Sequence, residues 1–278
     1  MKQLNSPRVT VVLAAYNLSH CIRASVESLL RQTLEDFELI ICEDCSTDNT
    51  YEILTQLSRT DPRIRLLRNE VNSGQALGRN RCFALARGEY TAIQDGDDYS
   101  RVTRLERQAA FLDSHPQYAF VAGHADTVND MGEILDRPNY CSGEVHKREF
   151  LWGLPFLHPT TMFRTAALRL SGGYRVEPET RFRNEDYDLF MRMYAMGMRG
   201  YVLPERLYLY YEGLAALRRR KYRYRLAEAA VRYRNFKALG LMPLGLIYAV
   251  KPMIVGLIPQ TTLNRIRFQL YQRKKLRG

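Results

Sequence analysis

The chain has 278 residues, 46% hydrophobic and 26% charged, enough for a sizeable core and too apolar for global disorder. Five cysteines, at 21, 42, 45, 82 and 141, are too few and too odd in number for a disulfide framework, so reduced thiols in a cytosolic chain are expected, and the short polar start Met1–Arg8 is not a secretory signal peptide. The net charge of +11 points first to nucleic acid, yet residues 217–278 carry 16 Lys/Arg against the single acid Glu228, while residues 1–216 carry 25 basic and 29 acidic side chains.

A mildly acidic body is therefore joined to a basic tail. The body opens with an apolar run over 8–16, of the kind found in a buried parallel strand. A helical face of Ile22, Val26, Leu29 and Leu30 follows, then a second strand over Phe37–Cys42. Tyr51–Leu57 reads as a helix with Asp48 as its expected N-cap. Ile64–Leu67 is a third strand, Ala76–Ala86 a helix, Tyr90–Gln94 a fourth strand, Leu105–Leu112 a helix and Tyr118–Ala122 a fifth strand. Alternating strand and helix predict βαβ units and a mostly parallel sheet flanked by helices, in the α/β class.

Ligands of such sheets bind at the carboxyl ends of the strands. Acids sit at two of those ends: Glu43, Asp44 and Asp48 after the second strand, and Asp95, Asp97 and Asp98 after the fourth. Carboxylates this close repel unless a cation or hydrogen-bond donors offset them. Hard cations such as Mg²⁺ or Mn²⁺ prefer oxygen ligands, and Mg²⁺ is usually held by one or two carboxylates plus substrate phosphates. A metal–diphosphate site at Asp95–Asp98 is one reading; a solvated acidic turn capping a helix near Arg101 is the other.

Several motifs occur in fixed order: Val-Thr-Val-Val-Leu-Ala-Ala-Tyr-Asn, Ile-Cys-Glu-Asp-Cys-Ser-Thr-Asp over 41–48, Asn72-Ser-Gly with Arg79-Asn80, Gly88-Glu-Tyr, and Asp95-Gly-Asp-Asp. They continue in His158-Pro-Thr-Thr-Met-Phe-Arg164, Gly172-Gly-Tyr174 and Asn184-Glu-Asp-Tyr-Asp-Leu. This set resembles the family 2 glycosyltransferases, enzymes of the Rossmann-like GT-A fold, over residues 8–212, with 213–278 as a separate basic tail.

The resemblance implies roles. Tyr16 matches an aromatic near the donor base, and Asp44 the aspartate that hydrogen-bonds uracil. Glu43 stands where the family usually has Asp, and Cys45 where it has Gly, which loses glycine's freedom at positive φ. Cys42 and Cys45 have redox-pair spacing but fall inside this motif, so the spacing is read as coincidental. Arg79 and His158 match donor-side positions, Asp97 the metal ligand with Asp95 and Asp98 beside it, and Asp95 also a contact to the ribose or sugar. Asp186 matches the general base, with Glu185 second and Asp188 third; a base of this kind is worth about 10²–10⁴ in rate. A helix-dipole role for the same acids is the alternative. Gly172-Gly173 is expected to form a turn by the acceptor pocket. Trp152 reads as a core residue or as part of an acceptor loop.

In the tail, 213–239 reads as a basic helix carrying Tyr222, Tyr224 and Tyr233, followed by the 20-residue apolar stretch Leu239–Ile258. Lys251, Pro243 and Pro252 interrupt that stretch, which favours a broken segment lying in the headgroup region over a membrane span. A hairpin packed on the body is the alternative. Each Lys/Arg near an anionic leaflet contributes roughly 1 kcal/mol. The expected protein is a cytoplasmic enzyme on the inner membrane surface. It would use a divalent cation to move a sugar from a nucleotide-sugar, with a UDP-sugar expected, to a lipid-linked or polysaccharide acceptor. Two competitors are a sugar-phosphate nucleotidyltransferase, whose Gly-rich basic loop is missing at Ala14–Asn17, and a nucleic-acid binder, which the body motifs disfavour.

Overall fold

A computed structural model describes residues 6–135, 141–180, 183–212 and 222–257. The first half is β1 (Val9–Ala15), α1 (Ile22–Leu30), β2 (Phe37–Glu43), α2 (Thr50–Thr60), β3 (Ile64–Arg68), α3 (Gln75–Leu85) and β4 (Tyr90–Asp95). Then come β5 (Tyr99–Ser100), α4 (Arg104–Ser114), β6 (Phe120–Val128), β7 (Ile134–Leu135), β8 (Gly143–Glu144), β9 (Met162–Arg164), α5 (Thr165–Leu170), α6 (Glu185–Ala195) and β10 (Gly200–Tyr211). Two tail helices follow, α7 (Tyr222–Ala238) and α8 (Leu244–Gly256).

The strands form one sheet in the order β3-β2-β1-β4-β9-β6-β10-β5. β3, β2, β1 and β4 run parallel, as the βαβ pattern requires. β9 enters antiparallel between β4 and β6, and β6 pairs parallel with β10. The expected fifth strand starts at Phe120 rather than Tyr118 and extends to Val128. Helices cover both faces, which is why β1 and β2 are apolar almost throughout. Alternation along β1 sends Val11 and Leu13 to the core under α1 and α4, and Val12 to the core that contains α3 and α6.

The second core also takes in the tail helices. Val231, Phe236, Leu239, Leu241 and Ala249 are buried in the same cluster as Phe120, Phe163 and Phe190. Asp188 of α6 accepts from Arg234 and Asn235 of α7. The apolar stretch 239–258 is therefore not one continuous helix: a turn at 239–243 separates α7 from α8. Among the described residues no helix is long and apolar enough to cross a membrane.

Beneath the carboxyl end of β4 lies a buried cation to which, among the described residues, no carboxylate is bonded. Arg104 is fully buried and donates to the carbonyls of Ile93 and Pro159, to Gln94 and Gln108, and to the Ser100 hydroxyl. Burial pulls its guanidinium down to about 10, still charged at neutral pH. These bonds tie β4 to the turn at 158–160, so replacing Arg104 orphans several buried acceptors at once. Arg104→Leu is expected to destabilise the protein by about 3 kcal/mol, read as a lower urea midpoint at unchanged m; an unchanged midpoint would contradict it.

Candidate active site

The parallel strands β1, β2 and β4 end together at a cleft of about 290 Å³ lined by Tyr16, Leu18, Asp44, Gln75, Asp95 and Asp97, with Ala14, Ala15 and Gly96. The two loops that shape it are laced to each other. Asn17 N–H donates to Ser46 Oγ, Thr47 N–H to Asn17 Oδ1, Leu18 N–H to Thr50 Oγ1 and Ser19 N–H to Asp48 Oδ2. Asp48 is not the N-cap of α2. Asn49 holds that position, and Asp48 instead accepts from the N–H and hydroxyl of Thr50 and bridges to the first loop.

Three non-glycine residues among those described have left-handed backbone: Asn17 (φ 54°), Cys45 (φ 59°) and Asn184 (φ 63°). All three lie on segments that shape the site, where strained backbone commonly gathers. Cys45 thus adopts the positive φ that glycine would favour. Cys42 is buried in the core and all described cysteines are free thiols, so the Cys-x-x-Cys spacing makes no bond.

Asp44 faces the cleft and accepts from Asn69 Nδ2 (2.6 Å), Ser73 N–H (2.9 Å) and Gly74 N–H (2.8 Å). Glu43 does not face it. Successive strand residues point to opposite sides, and Glu43 is fully buried, accepting from Ser46 N–H and lying 3.2 Å from Arg68 Nε. The expected donor contact at Glu43 becomes a brace for the loop.

Arg79, on α3, is 3% exposed. Its Nη2 lies 2.5 Å from Asp95 Oδ1 and its Nη1 3.6 Å from Glu185 Oε1. Its guanidinium sits 5.7 Å from the centre of the Tyr174 ring. Gln75 donates to the same Glu185 oxygen at 2.5 Å. One buried cation thus joins the carboxylate at the end of β4 to the carboxylates that open α6. Burial and the charge of Asp186 push the Glu185 carboxyl up to about 7; burial also raises Asp186, which is half-buried and accepts from Tyr187 N–H. Asp188 is a structural hub, its carboxylate shared by Arg175, Arg192, Arg234 and Asn235.

Asp97 is half-buried at the cleft, and burial together with the charge of Asp95 pushes its carboxyl up to about 6. Among the described residues no group of three or more His, Cys, Asp or Glu surrounds one point. Two carboxylates whose mutual charge is costly, opening on a cleft, nevertheless fit a hard cation whose other ligands are substrate phosphates. Asp98, expected as a further ligand, is turned away: it is buried, outside the cleft lining, and its Oδ1 accepts from Tyr211 N–H of β10 at 2.7 Å. The antiparallel pairing of β5 with β10 draws that residue to the far side of the turn.

His158 is not in the cleft lining either. It is buried, held neutral by burial and by Arg79, and shares a 2.5 Å hydrogen bond with the Tyr174 hydroxyl. It supports the ring on which Arg79 rests. Gly172 and Gly173 form the expected turn, both at positive φ, and a Cβ on Gly173 would lie 2.6 Å from Asn80 Oδ1. That close approach lets Asn80 bond both backbone groups of Tyr174. Trp152 is not a core residue: it is 70% exposed and packs edge-on against Tyr248 of α8. Gln75 was missed in the sequence, because an amide carries no charge signal; its place directly after Asn72-Ser-Gly was the available clue.

Comparison with known proteins agrees with this geometry. The model of the family described as Glycosyl transferase family 2 matches residues 10–169. The Bacillus subtilis (strain 168) protein EpsE, which carries a glycosyltransferase name, is 37% identical over 264 residues, 94% of this chain and 93% of its own length. An Escherichia coli UDP-Glc:α-D-GlcNAc-diphosphoundecaprenol β-1,3-glucosyltransferase, WfaP, is 40% identical over 106 residues, 38% of this chain and 41% of its own. In structure, S. aureus TarS residues 1–349, solved with UDP-GlcNAc, superposes with a TM-score of 0.68 at 22% identity, covering 88% of this chain and 70% of that one. The fold is the GT-A fold, and the chain belongs to glycosyl transferase family 2 and is a glycosyltransferase.

Proposed function

We propose that the chain moves a sugar from a nucleotide-diphosphate donor, with UDP as the nucleotide, onto a hydroxyl of a lipid-linked or polysaccharide acceptor in one inverting displacement. The observation that carries this reading is Arg79, buried between the donor-side Asp95 and the acceptor-side Glu185. The likeness to WfaP, whose name specifies a UDP-glucose donor and a diphosphoundecaprenol-linked acceptor, supports the same substrate classes.

Tyr16, 43% exposed at the rim, offers its ring to the base. Asp44 accepts three hydrogen bonds, and a carboxylate has about four lone-pair sites, so one remains for the uracil N3–H. Asp95 takes the ribose or the donor sugar. Asp97, with Asp95, would hold a divalent cation, which when bound neutralises charge developing on the diphosphate. At the acceptor side Asp186 accepts the hydroxyl proton. The acceptor oxygen then bonds to the anomeric carbon, and the bond from that carbon to the diphosphate oxygen breaks on the opposite face. Glu185, fixed by Arg79 and Gln75, holds the first turn of α6 in register with the cleft.

Asp97→Ala is expected to remove metal-dependent transfer while leaving the circular dichroism spectrum unchanged; undiminished transfer would reassign the metal site. Asp186→Asn is expected to keep UDP binding and lose about 10²–10⁴ in transfer rate. The base acts deprotonated and burial raises the Asp186 carboxyl, so wild-type transfer should already fall on acidification at pH values where ordinary carboxylates would still be charged. A rate that stays flat down to pH 5 would exclude the pair as the base.

The enzyme is further proposed to work at the inner face of the cytoplasmic membrane, on an anionic surface. α8 leaves Ile247 (70% exposed) and Ile254 (60% exposed) uncovered beside Lys251 and the basic α7. Burying an isoleucine side chain is worth about 1.5–3 kcal/mol. Ile247→Glu with Ile254→Glu should therefore cut binding to phosphatidylglycerol vesicles by at least about a hundred-fold without unfolding the protein, and unchanged sedimentation with vesicles would refute the surface role.

A further inference from the structure

A second cavity, of about 370 Å³, lies where the N-terminal turn of α6 meets α7 and α8. Its charge is strongly one-sided. Arg183, Arg225, Arg232 and Lys251 line it against one carboxylate, Glu228. That carboxylate is already taken by Arg232 at 2.9 Å and Arg225 at 3.2 Å. Among the described residues the other two cations meet aromatic rings and no anion: Arg183 lies 5.0 Å from the centre of Tyr224, and Lys251 5.7 Å from that of Trp152. Asn184 adds a buried amide nitrogen with no hydrogen-bond acceptor. The cavity therefore offers an incoming anion a surplus of positive charge, Lys251 exposed and Arg183 half-buried, beside one buried unpartnered amide.

Two features define what would satisfy them. Pro252 and Val255 of α8 form one wall, and the same helix turns Ile247 and Ile254 to the outside, so this cationic pocket shares a helix with an exposed apolar ridge. The pocket also ends at Asn184, the residue before Glu185 and Asp186. On the other side of that turn Gln75, which lines the donor cleft, holds Glu185. The two cavities flank one helix start.

We propose that this second cavity seats the diphosphate of a prenyl-diphosphate-linked acceptor, with the prenyl chain lying along α8 and the acceptor sugar directed toward Asp186. The inference rests on the transferase reading above and makes it specific: the acceptor is an amphiphile recognised by its diphosphate. A diphosphate carries the several anionic oxygens that Arg183, Lys251 and Asn184 lack, and a polyisoprenoid chain matches the apolar ridge. An anionic lipid headgroup shares part of this chemistry, as does a free diphosphate, and the experiment separates the three.

Trp152 lines the cavity and is the only tryptophan of the chain, so its emission reports on ligands there. The full chain is titrated with farnesyl diphosphate, inorganic pyrophosphate, farnesol and phosphatidylglycerol vesicles, with calorimetry as a second readout. Farnesyl diphosphate should give the tightest saturable change, and saturating UDP should not displace it. Arg183→Ala and Lys251→Ala should each weaken its binding by about ten-fold, the loss of one charge-assisted contact. Both should leave UDP affinity unchanged and raise the KM of a prenyl-diphosphate-linked sugar acceptor more than they lower kcat. Unaltered binding in both variants, or displacement by UDP, would overturn the assignment. A response to vesicles or to pyrophosphate that equals or exceeds the response to farnesyl diphosphate would overturn it in favour of a headgroup or a free-anion site. Failure of the unmodified chain to bind UDP would overturn the proposed UDP-donor reading on which this inference rests, whereas UDP binding without farnesyl diphosphate binding would overturn this inference alone.

Discussion

A guanidinium can be buried only if its charge is met by carboxylates or by enough acceptors, and in this protein Arg79 obeys that constraint at the centre of the site. Its two anionic partners come from elements far apart in the chain, the end of β4 and the first turn of α6. Meeting both fixes the distance between the cleft end of β4 and the carboxylates that open α6. The surroundings are arranged to keep the cation in place. Tyr174 covers the guanidinium, His158 holds the Tyr174 hydroxyl, and Asn80 holds the Tyr174 backbone. The motifs His158-Pro-Thr-Thr, Gly172-Gly-Tyr and Arg79-Asn80 are thus one structure, built around one charge.

The parallel core was legible because its cause is local: strands covered on both faces must be mostly apolar, and β1 and β2 are almost throughout. The cleft was legible as a place, since carboxylates cluster at the ends of two of those strands. Which carboxylate faces the ligand was less so. Glu43 and Asp44 are adjacent, and only the pleat of β2 decides that Asp44 enters the cleft. Asp98 looked like a third ligand but is claimed by the backbone of β10, a partner more than a hundred residues away that no local pattern announces. His158 has the right motif and a supporting position. Gln75 escaped because a neutral amide resembles any surface residue until the structure shows Glu185 against it. Trp152 was misjudged for a similar reason: its neighbour Tyr248 lies in the tail.

The tail changes meaning in the same way. Its positive charge was separable in sequence from the acidic body, but the helices that carry it are not detached from that body. Asp188 of α6 binds Arg234 and Asn235 of α7, and Phe236 packs into the core shared with Phe190. Basic side chains are therefore brought beside α6, the helix that opens with Glu185 and Asp186. Positive charge and the apolar face of α8 thus lie beside the Glu185–Asp186 pair, the arrangement on which the proposed anionic, amphiphilic acceptor rests.

The central claim is that Arg79 couples the two halves of the reaction. It is tested most directly by the single-turnover transfer rate of Arg79→Gln, with UDP affinity and circular dichroism as controls. The account predicts a folded variant that still binds UDP but transfers at least about a hundred-fold more slowly, the scale expected when reacting groups lose their relative placement. Transfer at the wild-type rate by that variant would contradict it.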